Sequence, residues 1–165
     1  MLSKILSKDD CAQCRFCCSF RRCSLWETPV FSFAEKSCLE KKYPKAKFKT
    51  CADKSFTIDI DDCYKSSDEN EEAPCPFLDP SCGCVLSSEE KPFDCMIWPF
   101  RISKVNNEHF VVLERTCPVI NKIPLEKVSS VVDDDFIMLA KKKVKENCGI
   151  VKEWRESFVI IKKLV

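Results

Sequence analysis

A chain of 165 residues with a net charge of +1 has the size of one domain and lacks the electrostatic pull of a general nucleic-acid binder. With only Gly83 and Gly149 and a single histidine, His109, it can build no P-loop, no G-x-G-x-x-G turn and no HExxH helix. No apolar run approaches the length that crosses a bilayer, so a soluble chain without a membrane partner is expected, and its 14 cysteines become the main lead.

The first ten residues hold no uninterrupted apolar stretch and no small-residue cleavage site, so no signal peptide is expected. The cysteines are then expected to be reduced, in the cytoplasm, rather than paired as disulfides. The first group is Cys11-Ala-Gln-Cys14-Arg-Phe-Cys17-Cys18. On a helix, about 100° per residue would turn these four sulfurs to one side. A turn and a half of helix cannot enclose an ion tetrahedrally, so at least one further ligand must come from elsewhere. Adjacent Cys17 and Cys18 are not expected on the same single ion. One of them serves a second metal, bridges or packs.

Glu27 follows in Leu25-Trp-Glu-Thr-Pro29, a surface acid and the first carboxylate candidate for catalysis. Residues 32–43 predict a helix: Ser32 caps, Glu35 stands three residues on, and Pro44 stops the run. Residues 46–50 and 55–60 alternate weakly and predict two short paired strands. Seven acids against Lys65 fill 59–72, a solvated stretch continuing into a polar loop over 66–73.

The second group of cysteines is spread through a proline-rich, irregular region. It comprises Cys75 in Cys-Pro-Phe-Leu, Cys84 in Gly-Cys-Val-Leu, Cys95 in Lys-Pro-Phe-Asp-Cys, and Cys117 in Cys-Pro. Cys82 is left open between ligand and spare. Asp94 reads either as a support for Cys95 or as a solvated turn residue, and Trp98 and Phe100 as core. Residues 100–105 and 108–115 flank Asn106-Asn107, a hairpin signal because asparagine tolerates positive φ. His109 falls on the polar face of the second strand. Residues 124–165 read as two helices, or one kinked helix. Asp133–Asp135 mark a start, and Ala140, Val144, Cys148, Val151, Trp154, Phe158, Ile161 and Val165 recur at steps of three or four. Eight Lys/Arg oppose three Glu over 136–165, a basic helix face. Cys38 and Cys148 fit helix core faces, and Cys23, Cys51 and Cys63 are scattered.

These observations predict an α+β fold: a small metal-stapled domain with short strands, a hairpin and a helical C-terminal region. Its cysteine-rich part covers 1–123, with 124–165 packed on the same domain. The candidate metal ligands are Cys11, Cys14, Cys17, Cys18, Cys75, Cys84, Cys95 and Cys117. Thiolate is the soft ligand of zinc and of iron–sulfur clusters. Three cysteines at C-x-x-C-x-x-C with a remote fourth favour a [4Fe–4S] cluster, with zinc as the alternative.

The joint pattern over about residues 11–118 resembles the CxxCxxCC zinc- or iron-chelating family, related to the cysteine domain of flagellin lysine N-methylases. The matching positions are Cys11, Cys14, Cys17 and Cys18; Cys75-Pro76-Phe77-Leu78; Cys84; Pro92, Cys95, Pro99 and Phe100; and Cys117-Pro118. The chain departs from that family at Lys91, where arginine is usual, and at Ser87, where an aromatic is common. The resemblance implies metal binding. Three functions are weighed: an accessory, structural or redox metal protein; a small metalloenzyme modifying a protein or peptide; and an interaction module using Lys141, Lys142, Lys143 and Lys145. A protein partner or protein substrate is therefore expected, and nucleic acid is disfavoured.

Overall fold

The structure is a computed structural model that describes residues 5–7, 10 and 14–164. In the first half, β1 (Ser19–Arg21) and β2 (Val30–Phe31) precede helix α1 (Phe33–Lys42), followed by β3 (Phe48–Thr50) and β4 (Phe56–Ile58). Three very short strands come next: β5 (Glu72–Pro74), β6 (Leu78–Asp79) and β7 (Gly83–Cys84). Helix α1 forms where the capping signal falls. Ser32 Oγ accepts from the Glu35 amide, while the Glu35 carboxylate accepts from the Ser32 amide at 2.7 Å. The predicted strand pair is antiparallel β3–β4, with β2 added on the other side of β4. Phe20, Phe31, Leu39, Ile58, Ile60 and Phe77 fill the core beneath them.

The second half runs from α2 (Phe93–Ile97) into β8 (Phe100–Val105) and β9 (Glu108–Glu114), then α3 (Leu125–Ser129), α4 (Asp134–Glu146), β10 (Val151–Glu153) and β11 (Phe158–Leu164). The β8–β9 hairpin turns on Asn106 and Asn107, both left-handed at φ 48° and 66°. Asp133 caps α4 by accepting from the Phe136 amide. The sheet order is β10-β8-β9-β11, with β10 parallel to β8 and β11 antiparallel to β9. Its core contains Phe93, Ile97, Phe100, Phe136, Ile137 and Ala140, so the C-terminal segment shares a core with the residues around Cys95.

The second C-terminal helix is the main correction. Residues 151–153 and 158–164 are strands, separated from α4 by a short 3-10 turn at Cys148–Ile150. Val159, Ile160 and Ile161 are β-branched and suit a pleated surface. A register shift between Ile160 and Lys162 replaces the two-residue alternation by a step of three, from Ile161 to Leu164. That bulge imitates helical spacing. Cys38 lies on α1 but is exposed, and Cys148 is exposed outside any α-helix, so neither occupies a core face.

Strand β2 joins the two halves. Successive side chains on a strand point to opposite faces, and here Val30 enters the C-terminal core while Phe31 enters the N-terminal one. Beside this junction runs a polar seam. Arg101, Ser103 and Glu114 are buried on the sheet face opposite Phe100 and Ile102. Residues 27–29 lie against them: Arg101 donates to the Glu27 carbonyl at 3.2 Å, and Lys152 donates to the Thr28 carbonyl at 3.4 Å. Among the described residues, no helix is long and apolar enough to cross a membrane.

Candidate metal centre

Several pieces of local structure carry the cysteines to the junction. Cys14 is helical, but Arg15 is left-handed at φ 52°, and Phe16–Cys18 then forms a 3-10 turn. The helix imagined through all four early cysteines therefore stops before Cys17, and Cys11 lies outside the described residues. The β1–β5 pairing sets Ser19 opposite Pro74, so the next residues outward are Cys18 and Cys75, and the Cys75 amide donates to the Cys18 carbonyl at 2.8 Å. The Leu78 amide donates back to the Cys75 carbonyl, and the β6–β7 pair sets Cys84 opposite Leu78. Cys95 lies on α2, and Cys117 follows the end of β9.

The thiols feel one another. Burial first, and then the neighbouring Cys84 and Cys17, push the Cys75 thiol up to about 12. Cys95 is raised well above the ordinary thiol value by burial, then by Cys75, Asp94, Cys17 and Cys84. Its surface is nonetheless accessible. Cys17 is raised by a thiol–thiol hydrogen bond with Cys18 and by burial. Cys117 is raised by burial and, to a smaller extent, by the nearby thiols of Cys14 and Cys17. Cys17, Cys75, Cys84 and Cys95 thus form one neighbourhood, and Cys17 also links it to Cys14 and Cys117. Cys82 is exposed and answers to Asp79 instead.

Both Cys-Pro turns aim backbone amides at sulfur. The Phe77 amide donates to Cys75, and the Val119 and Ile120 amides donate to Cys117. Donors at a sulfur favour the thiolate and partly offset the burial that disfavours it. Among the described residues, no three possible ligands stand in a coordinating arrangement. The fit to a thiophilic ion lies in the donor chemistry: thiols whose ionisation burial opposes, amides near two of them, and a thiolate form that a cation would favour. Cys18, Cys75 and Cys84 belong to the N-terminal core, and Cys117 and the α2 residues around Cys95 to the C-terminal one. The group therefore sits at the seam between cores.

The other candidates fall elsewhere. His109 is near the hairpin turn, at the opposite end of β9 from Cys117. Trp98 is half-buried with the Arg101 guanidinium 4.1 Å from its ring centre, and Phe100 is core. Glu27 is held above the usual carboxylate range by burial and by Glu114. Asp94, read as support or solvated turn, is 2 % exposed and accepts from the Val30 amide at 3.1 Å.

Sequence reasoning missed the polar seam of Arg101, Glu114 and Lys152. Its only signal was a charged residue at alternate positions of otherwise apolar strands. Comparison with protein families, with curated proteins and with solved structures returned no match.

Proposed function

We propose that this is a cysteine-rich metal-binding protein with a structural or redox role, holding an iron–sulfur cluster or, alternatively, zinc. What supports the reading is that separate stretches bring cysteines to one seam: the Cys75 amide donates to the Cys18 carbonyl at 2.8 Å, Cys84 stands opposite Leu78, and Cys117 and the residues around Cys95 pack in the adjoining core. Cys14 and Cys17 adjoin them, and Cys11 completes the spacing that resembles the CxxCxxCC family. Such a set would hold the group through thiolates. A [4Fe–4S] cluster would supply one-electron chemistry, and zinc a closed structural site contributing on the order of 10 kcal/mol to folding.

The chain's own residues do the rest. The two Cys-Pro turns position Cys75 and Cys117, and the two cores pack on either side of them. The test is a set of single substitutions read by metal content per chain. Cys14→Ser, Cys75→Ser and Cys95→Ser each lose metal, while exposed Cys38→Ser and Cys148→Ser keep it. Full metal retention in Cys75→Ser and Cys95→Ser would remove the assignment.

A second reading rests on α4, where Met138, Lys141, Lys142 and Lys145 share an exposed basic face. A protein partner with an acidic surface would suit it. Its binding would weaken with added salt and with the triple Lys141, Lys142 and Lys145→Gln change; salt-independent binding would exclude this face.

A further inference from the structure

We infer that Asp94 and Lys152 are positioning residues for the thiolate site, a role that rests on the metal reading above. Asp94 immediately precedes Cys95 in the first turn of α2. Its Oδ2 holds two distant parts of the chain, accepting from the Val30 amide at 3.1 Å and meeting Lys152 Nζ at 3.5 Å. Lys152, whose side chain is 10 % exposed, comes from β10 through its pairing with Ser103 and also reaches the Thr28 carbonyl. One carboxylate therefore fixes α2, β2 and β10 next to Cys95.

Two further observations separate this from an ordinary buried clamp. Asp94 Oδ1 has no hydrogen-bond partner among the described residues, and neither does Ser103 Oγ on the strand beside Lys152. Buried polar atoms are nearly always satisfied, and an exception calls for an explanation, of which a functional role is one. The second observation is charge. Four thiolates around a divalent ion keep a net charge of about −2, and Asp94 adds another negative charge beside Cys95. Lys152 is the buried ammonium in contact with that carboxylate, so it balances the site from the C-terminal strand. It also faces Glu114, so loss of the ammonium alone does not isolate its role at the thiols.

The experiment uses the reduced full-length chain titrated anaerobically with cobalt(II), whose visible bands report affinity and ligand geometry together. Asp94→Asn keeps the shape and removes the charge; Lys152→Met removes the ammonium; Lys152→Arg restores a cation. Glu114→Gln loosens the same seam away from Cys95 and serves as the packing control. Asp94→Asn and Lys152→Met are expected to bind cobalt 10- to 100-fold more weakly with shifted bands. Lys152→Arg should recover most of the affinity, and Glu114→Gln should lower the melting temperature without moving the bands. Wild-type affinity and bands in Asp94→Asn would overturn the inference, as would an equal band shift in Glu114→Gln. A wild-type chain that takes up no cobalt, zinc or iron would instead remove the metal reading on which it rests.

Discussion

Neighbouring residues in this chain face different demands, and Asp94 beside Cys95 shows it. The aspartate is sealed in the interior while the thiol next to it keeps an accessible surface. Sequence spacing pointed to Cys95 as a ligand because thiolate chemistry is legible in motifs. It left Asp94 between two readings, because burial of a charge depends on a lysine 58 residues away. Glu27 is a second such case. It opposes Glu114 near Arg101 and Arg155, and Arg155 lies 3.7 Å above the Trp26 ring. Burial raises the Glu27 carboxyl, so folding disfavours its ionised form. That cost is absent below the unfolded value, about 4.3, and grows as pH rises through the raised folded value. Glu27→Gln should accordingly unfold at higher denaturant than wild type at pH 8, with the difference vanishing toward pH 4. Equal midpoints at both pH values would show that Glu27 carries no such penalty.

Elements with strong local signals appeared where the residues predict them. Ser32 and Glu35 cap α1, Asp133 caps α4, and Asn106-Asn107 turns the hairpin, because each depends on a few adjacent atoms. The C-terminal strands were hidden for the opposite reason. Strand β11 owes its place to β9, and its bulge gave its apolar residues a helix-like step. Gly149 lies in the 3-10 turn after α4. Its real constraint is a close approach between the turn after α4 and the loop before β4. A Cβ there would fall 2.0 Å from Asp53 Oδ2 and 2.6 Å from Ser55 Oγ. Asp53 cannot swing aside freely, since its other oxygen accepts from the Ser55 amide and hydroxyl. Gly149→Ala should therefore destabilise by about 1–3 kcal/mol, measured by denaturant unfolding. An unchanged midpoint would mean that the two loops part without cost.

Across the whole molecule, two cores share one short strand, one polar seam and one group of sulfurs. The α+β class was readable because helix and strand signals both occur along the chain. The division into two cores was not, since it turns on β2 sending Val30 one way and Phe31 the other. The cysteine spacing predicts a long-range junction through metal; the fold carries Cys18, Cys75 and Cys84 in one core and Cys117 in the other, with Cys95 on α2 between them, and metal analysis decides whether an ion joins them. A metal bound there would link the cores directly, so its removal should lower the melting temperature of the entire chain rather than free one loop. A melting temperature unmoved by metal removal would argue against a staple even if metal is present. The most direct measurement is iron, zinc and acid-labile sulfide determined together on one anaerobically purified sample. The account predicts near-stoichiometric metal, with sulfide matching iron if a cluster is bound and absent if zinc is. A clean, folded protein containing neither metal, its sulfurs joined as disulfides, would contradict it.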